Sequence, residues 1–287
     1  EYGFDHGAQY FTARHPALKR WIPGWLEEGV IAEWNGRLVA AGSGGIGPIR
    51  GSDQRYVGTP GMNALARHLA ADLDIRQRLR VMSIERAVEG WSLDTAETGR
   101  HDGFDYLLVT APPAQAADLV TGVSALGARA EAFQMRPCWA LMLVFGAPLG
   151  VEYDGAFCED DVLSWIARDS SKPGRAAGER WIVHAGPEWS EAHLEDDPET
   201  VAEALTAALA RISGVALPPI EHRQAHRWRY ALPAQPASES CLFDAEQGLA
   251  LAGDAYNGGR IEGAWLSGIA AAECILEDAG RDARVAE

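Results

Sequence analysis

The chain is short of positive charge and nearly free of lysine. It carries 25 Lys and Arg against 41 Asp and Glu, a formal charge of −16, and its lysines are Lys19 and Lys172 alone. Such a field repels polyphosphate and anionic lipid, which argues against nucleic acid or a charged membrane as partner and requires any anionic ligand to meet a local basic pocket. Cysteine is also scarce. Cys138, Cys158, Cys241 and Cys274 show neither metal-type nor redox-type pair spacing, which predicts reduced, mostly buried thiols. No His or Cys pair has metal-ligand spacing and no GxSxG elbow occurs, so a metal enzyme and a serine hydrolase are disfavoured. No apolar run reaches the ~18 residues of a membrane helix, and the start of the chain is not signal-like, so a cytoplasmic location is expected.

What remains is a globular composition, 47% hydrophobic and 23% charged over 287 residues, long enough for two interleaved domains. Pro16 to Glu28 has helical spacing interrupted by Pro23, and Val30 to Ala41 reads as a hairpin turning at Asn35-Gly36. Thr59-Pro60 is expected to cap a helix carrying Met62, Leu65, Ala66 and Leu69. Strands are expected over Leu79–Val88, Gly90–Thr95, Phe104–Thr110, Cys138–Phe145 and Arg180–His184. Asp197-Pro198 caps a second helix through Val201, Leu205, Leu209 and Ile212.

Gly248 to Ala252 reads as a strand running into a turn at Gly253-Asp254, and Asn257-Gly258-Gly259 leads into a helix from Ile261 to about Glu277. Glycines let a backbone approach a flat ligand, Asp254 can accept a bond from a ribityl hydroxyl, and a helix start aims N–H groups at negative charge. The same residues also suit an ordinary turn and helix cap. Gly42 to Gly47 satisfies GxGxxG on paper, but Pro48 and Gly51 follow with no amphipathic helix, so a flexible loop is expected there.

The stretch GLALAGDAYNGGRIEGAWLSG, residues 248–268, resembles the C-terminal FAD motif of renalase-like oxidoreductases in the amine oxidase superfamily. Asp5 to Arg14, Ile166 to Arg175 and Ala225 to Pro233 resemble other recurring stretches of that family, so the resemblance spans the chain. Family members place a strand, a GxGxxG turn and a helix before the segment that here starts at Gly7, so that unit is expected to be missing.

The resemblance implies an α/β fold: a discontinuous Rossmann-like FAD domain from residues 1–12, 51–113 and 238–287, and a mostly antiparallel substrate domain from 13–50 and 114–237. It implies FAD as cofactor, held by Gly7, Ala8, Val81, Ala111, Pro112, Gly253, Asp254, Arg260, Ile261, Gly263 and Ala264. It places Gln9, Arg168, His184, His226, Trp228 and Tyr230 on the substrate side, joined more loosely by Lys172 and Arg175. Several of these suit a purely structural role as well: Val81 and Trp228 as core, Ala111-Pro112 as a strand end, His184 as a hydrogen-bonded core histidine. The Arg223, Arg227 and Arg229 cluster suits phosphate capture or a solvated face equally. The implied activity is oxidation of misreduced dihydronicotinamide nucleotides, a small-molecule substrate, by hydride transfer to flavin. The alternatives are a flavin amine oxidase, disfavoured because neither lysine lies in a segment resembling that family's flavin-side lysine, and a non-catalytic remnant that does not retain FAD.

Overall fold

The computed structural model describes residues 2–49, 51, 53–235, 237 and 239–285. Two short helices open the chain, α1 (Pro16–Lys19) and α2 (Ile22–Glu27), as the interrupted periodicity predicts. Strands β1 (Ile31–Glu33), β2 (Leu38–Gly42), β3 (Gly45–Pro48) and β4 (Tyr56–Gly58) precede α3 (Ala64–Leu69). Then come β5 (Val81–Ala87), β6 (Gly90–Thr95), β7 (Gly99–Phe104), β8 (Leu107–Val109), α4 (Pro113–Val120) and α5 (Leu126–Glu131). The second half holds β9 (Met135–Phe145), β10 (Gly155–Glu159), β11 (Leu163–Arg168), β12 (Glu179–Ala185), α6 (Pro187–Ala192), α7 (Pro198–Ser213), β13 (Ile220–Pro233), β14 (Leu242–Asp244), β15 (Leu249–Leu251) and α8 (Ile261–Val285).

The chain divides into two compact units, residues 1–71 with 136–231 and residues 72–135 with 232–287. Residues 2–12, 51 and 53–71 therefore pack with the first unit, and 114–135, 232–235 and 237 with the second, unlike the expected division. The expected segment limits Glu1, Arg50, Ser238 and Glu287 lie outside the described residues.

The first unit is built on a seven-stranded sheet in the order β13-β9-β12-β11-β10-β2-β3, antiparallel in its recorded pairings except for the parallel pair β10/β2. One face is packed by α7: Leu141, Leu143, Ile166, Trp181 and Val183 meet Val201, Leu205 and Leu209 in a single buried cluster. The helix starts where Asp197 accepts the Glu199 N–H at 2.9 Å and stops at left-handed Gly214, as its sequence signals require. Alternation then sends Trp165, Ile182 and His184 to the opposite face.

Three local expectations fail here. Val30 to Ala41 is not a hairpin: β1 pairs with β4, whereas β2 joins β3 and β10. Trp34 lies between the two strands, buried, and a Cβ on Gly36 would stand 2.6 Å from its Nε1, so Asn35-Gly36 wraps an indole instead of closing a tight turn. Gly42 to Gly47 is a β2/β3 hairpin rather than a loop. Thr59-Pro60 does not cap a helix, since α3 begins at Ala64. Arg175 takes the Gly58 carbonyl and Asp5 accepts the Met62 N–H at 2.9 Å, which holds 58–62 in a turn.

The second unit contains a mixed sheet, β14-β15-β8, and an antiparallel meander, β5-β6-β7. Phe104 closes β7 and Leu107 opens β8, so the single strand expected over Phe104–Thr110 is two strands of different sheets. The core gathers Ile84, Trp91, Val109, Val120, Leu126, Leu249 and Leu251. Strands β8 and β15 are parallel, with Leu107 opposite Leu249 and Val109 opposite Leu251, and each passes through a short loop into a helix, α4 and α8 respectively. That is a Rossmann-like arrangement, and the fold as a whole is α/β with a mostly antiparallel sheet in the other unit.

Candidate functional site

Each unit carries one candidate surface. In the second unit, parallel pairing sets the carboxyl ends of β8 and β15 side by side: Ala252 donates its N–H to Val109 O at 3.1 Å, and a Cβ on Gly253 would stand 3.7 Å from Thr110 O. The loops leaving these ends are Ala111-Pro112 and Gly253-Asp254, where ligands of open α/β sheets bind. Val81 and Ala111 are half-buried and pack against the core cluster beneath. Gly253 donates its N–H to the buried Ser267 hydroxyl at 3.0 Å, which pins the turn to α8.

Asn257, Gly258 and Gly259 all have left-handed φ, 58°, 91° and 69°, so the chain hooks sharply before α8. A Cβ on Gly263 would lie 2.6 Å from Asn257 O, which is why the first helical turn can seat against the hook. The first bond of the helix runs from Ala264 N–H to Arg260 O, leaving the N–H groups of Ile261, Glu262 and Gly263 ahead of the ladder. Asp254 is exposed as a residue, yet burial of its carboxyl group outweighs the Asp254 and Ala255 N–H bonds and raises its pKa above the usual carboxylate range. The Ile261 and Gly263 N–H groups at this helix start, beside an acidic acceptor, fit a flavin's pyrimidine oxygens and ribityl hydroxyls.

In the first unit the segment Tyr2 to Gln9 lies across the sheet face opposite α7. The even positions of β13 point to it, with His6 edge-on to His226 at 4.6 Å and stacked on Trp228 at 5.3 Å and 21°. The His6 carbonyl accepts from Trp228 Nε1 at 3.2 Å and meets His184 Nε2 at 3.2 Å. A carbonyl can only accept, so His184 carries its proton on Nε2. Burial pushes its pKa down to about 4, and the imidazole is neutral at neutral pH. Burial also lowers His6 and His226, against Asp5 in the first case and with help from His6 in the second. The aromatic layer is therefore uncharged.

Gln9 is buried and donates through Nε2 to the Asp5 carbonyl and, at 3.1 Å, to the Gly7 carbonyl. Trans peptides set C=O and N–H on opposite sides, so the bonds to the His6 and Gly7 carbonyls turn the Gly7 and Ala8 N–H groups away from the sheet. Gln9 Oε1 accepts from Lys172 Nζ at 2.9 Å, and Lys172 also bonds Asp169 Oδ1 at 2.9 Å. Arg175 pairs with Asp5, completing a buried set of two cations and two anions. Burial of Lys172 outweighs its acids and lowers its pKa.

Other expected residues are placed elsewhere. Arg168 lies on the α7 side of the sheet, held to Asp154 at 3.4 Å and Glu179 at 3.6 Å and stacked over Trp181. Arg223, Arg227 and Arg229 share that side and pair with Glu199 and Glu195 on and before α7, so the cluster reads as a paired face. Tyr230 shares the Trp228 face by strand alternation, half-buried. Lys172 and Arg175, the looser substrate-side candidates, are spent in the buried set, and His6 is the residue that sequence reasoning passed over. Among the described residues no group of three or more His, Cys, Asp or Glu could hold a metal, and no helix is long and apolar enough to cross a membrane.

Residues 37–276 match the family described as flavin containing amine oxidoreductase. The chain belongs to that family. A protein provisionally assigned as a protoporphyrinogen oxidase, from Exiguobacterium sp. 255-15, is similar in fold with a TM-score of 0.61 and 20% identity, over 79% of this chain and 54% of that one. A putrescine oxidase double mutant, from a redesign of cofactor binding, matches with a TM-score of 0.56 and 13% identity over 78% of this chain and 54% of its own. The chain thus spans about half the length of these relatives of the amine oxidoreductase fold.

Two outcomes test this geometry. Lys172→Met leaves Asp169 buried without its cation and should cost about 3–5 kcal/mol of stability, whereas adding Asp169→Asn should recover part of it; strictly additive losses in denaturant titration would contradict the pairing. Burial holds the folded His184 at a pKa of about 4 against the ordinary histidine value of 6.5. The unfolded chain binds the extra proton, so the contribution of neutral His184 is complete above pH 6.5 and lost as pH falls towards 4. His184→Gln should flatten the stability slope in that window, and an unchanged slope would refute the assignment.

Proposed function

We propose that the protein is an FAD-dependent oxidoreductase that oxidises misreduced dihydronicotinamides, the renalase-like reading. The observation that carries it is the uncharged aromatic layer of His6, His226 and Trp228, on which Trp228 remains 39% exposed. Bound FAD would supply a two-electron acceptor, with the strand-end loops at Ala111-Pro112 and Gly253-Asp254 and the start of α8 as its holding residues. A dihydropyridine that loses hydride regains aromaticity as a pyridinium, so no protein base is required.

On this reading Trp228 and Tyr230 supply the stacking wall, and neutral His6 and His226 do not repel the cationic product as protonated imidazoles would. The outward Gly7 and Ala8 N–H groups are donors suited to acceptor atoms of a flat heteroaromatic ring, the role the resemblance implies for them. Gln9 positions these amides rather than touching substrate, since its own polar atoms are engaged. Because Arg168, Arg223, Arg227 and Arg229 are all paired with acids, phosphate capture is not assigned to them.

The amine oxidase reading draws on the family and on the putrescine oxidase neighbour. Against it, positions 222, 224, 226, 228 and 230 of β13 offer no carboxylate to an ammonium group, and Lys172 is consumed by Asp169 and Gln9. Anaerobic stopped-flow reduction of the FAD-loaded protein decides between them. Dihydronicotinamide isomers should reduce the flavin, the riboside about as fast as the dinucleotide, and Trp228→Ala should slow reduction by roughly ten- to a hundredfold through misplacement. Rapid reduction by simple amines with none by dihydronicotinamides would overturn the proposal.

A further inference from the structure

Cys241 and Cys274 are 33 positions apart in sequence but adjacent in the fold. Phe243 on β14, Ala250 on β15 and the flanking Cys241 and Ala252 belong to one small cluster, and Ala271 and Ile275 of α8 pack into it. The alanines keep this side of the sheet low, which lets α8 approach closely, and Cys274 follows Ala271 by three residues on the helix, on the same side. Cys274 is also the neighbour of Ile275, which packs with Cys241 in this cluster, and its thiol is near enough to raise the Cys241 pKa. Both cysteines are free and partly buried.

We infer that Cys241 and Cys274 form a peroxide-responsive dithiol that closes a disulfide around the strand–turn–helix segment carrying Gly253, Asp254 and the start of α8. One thiolate attacks an oxygen of hydrogen peroxide, breaking the O–O bond, giving a sulfenic acid and releasing water once the thiol proton is counted. The second sulfur attacks the sulfenic sulfur, the S–O bond breaks, and the departing hydroxide takes the second thiol proton as water. Two thiols and one peroxide thus yield one disulfide and two waters, the sulfurs losing the two electrons that the peroxide gains.

The bond ties the residue before β14 to the middle of α8, enclosing β15, the Gly253-Asp254 turn and the left-handed hook. Cross-linking restricts the unfolded chain, so the staple stabilises this segment most. Burial and the neighbouring thiol push Cys241 up to about 11, so closure is slow at neutral pH and accelerates as pH rises. Cys138 and Cys158, each pushed up to about 12 by burial, lie in the other unit and serve as internal controls. A consequence for flavin retention rests on the function proposed above, whereas the thiol chemistry does not.

The test is a hydrogen peroxide titration of the full chain at pH 7 and pH 9, followed by alkylation and non-reducing peptide mapping. The expected product is a monomer lacking two titratable thiols, with a linked peptide joining Cys241 and Cys274, about 2 Da lighter and restored by dithiothreitol. It should form faster at pH 9 and be absent from Cys241→Ser and Cys274→Ser. Sulfinic acids without a linked peptide, intermolecular dimers, or complete alkylation of both thiols after peroxide would each overturn the proposal. Loss of the linked peptide would leave the flavin reading intact, and absence of flavin chemistry with the linked peptide present would leave the dithiol intact.

Discussion

The arrangement of the aromatic surface depends on a buried set of four charges. Asp5, Asp169, Lys172 and Arg175 balance two against two with little water available, and Gln9 takes the remaining Lys172 bond. Separating any one partner strands a charge in the interior, a cost that neighbouring side chains cannot offset. The N-terminal segment is therefore held to the Gly58–Met62 turn and to the loop after β11 at once. Its path over the sheet follows from that anchoring.

From this anchoring follow the electrostatics of the surface. The His6 carbonyl lies where a neutral histidine and an indole can both reach it, and the neutrality of the layer reflects burial rather than the net charge of the chain. Acidic residues dominate the composition, but Asp154, Glu179 and Glu195 are spent on arginines of β11 and β13, and Asp5 and Asp169 on the buried set. Around His6, His226 and Trp228 the surface is aromatic and uncharged. Such a surface discriminates by stacking and by the reach of backbone donors, not by long-range attraction.

Much of the framework was legible in the sequence, and the reasons differ by element. Helix α7 announced itself through Asp197-Pro198 and a four-residue apolar repeat, and the β15–turn–α8 passage through its glycines, because these signals act locally. Strands β10, β11 and β7 were not seen. The first two lie in a large sheet where neighbours rather than local alternation decide burial, and β7 is polar along its length. Asn35-Gly36 misled because turn chemistry cannot register that Trp34 occupies the space between the strands. Arg168 and the β13 arginines looked available only because their acidic partners are distant in sequence, and Lys172 looked available to substrate because Gln9, which takes one of its bonds, lies 163 residues away. In the same way the Cys241 and Cys274 spacing resembles no motif, since a sheet and a helix bring them together.

The account stands on the second unit's strand-end loops holding a flavin, and the most direct measurement is an FAD titration followed by visible absorption and flavin fluorescence. The parent chain should perturb the flavin spectrum with a saturable change, and Asp254→Ala, which removes the acceptor beside the start of α8, should raise the dissociation constant several-fold with the fold unchanged by circular dichroism. A flavin spectrum indistinguishable from that of free FAD at saturating protein, or equal affinity in the parent and Asp254→Ala, would contradict it.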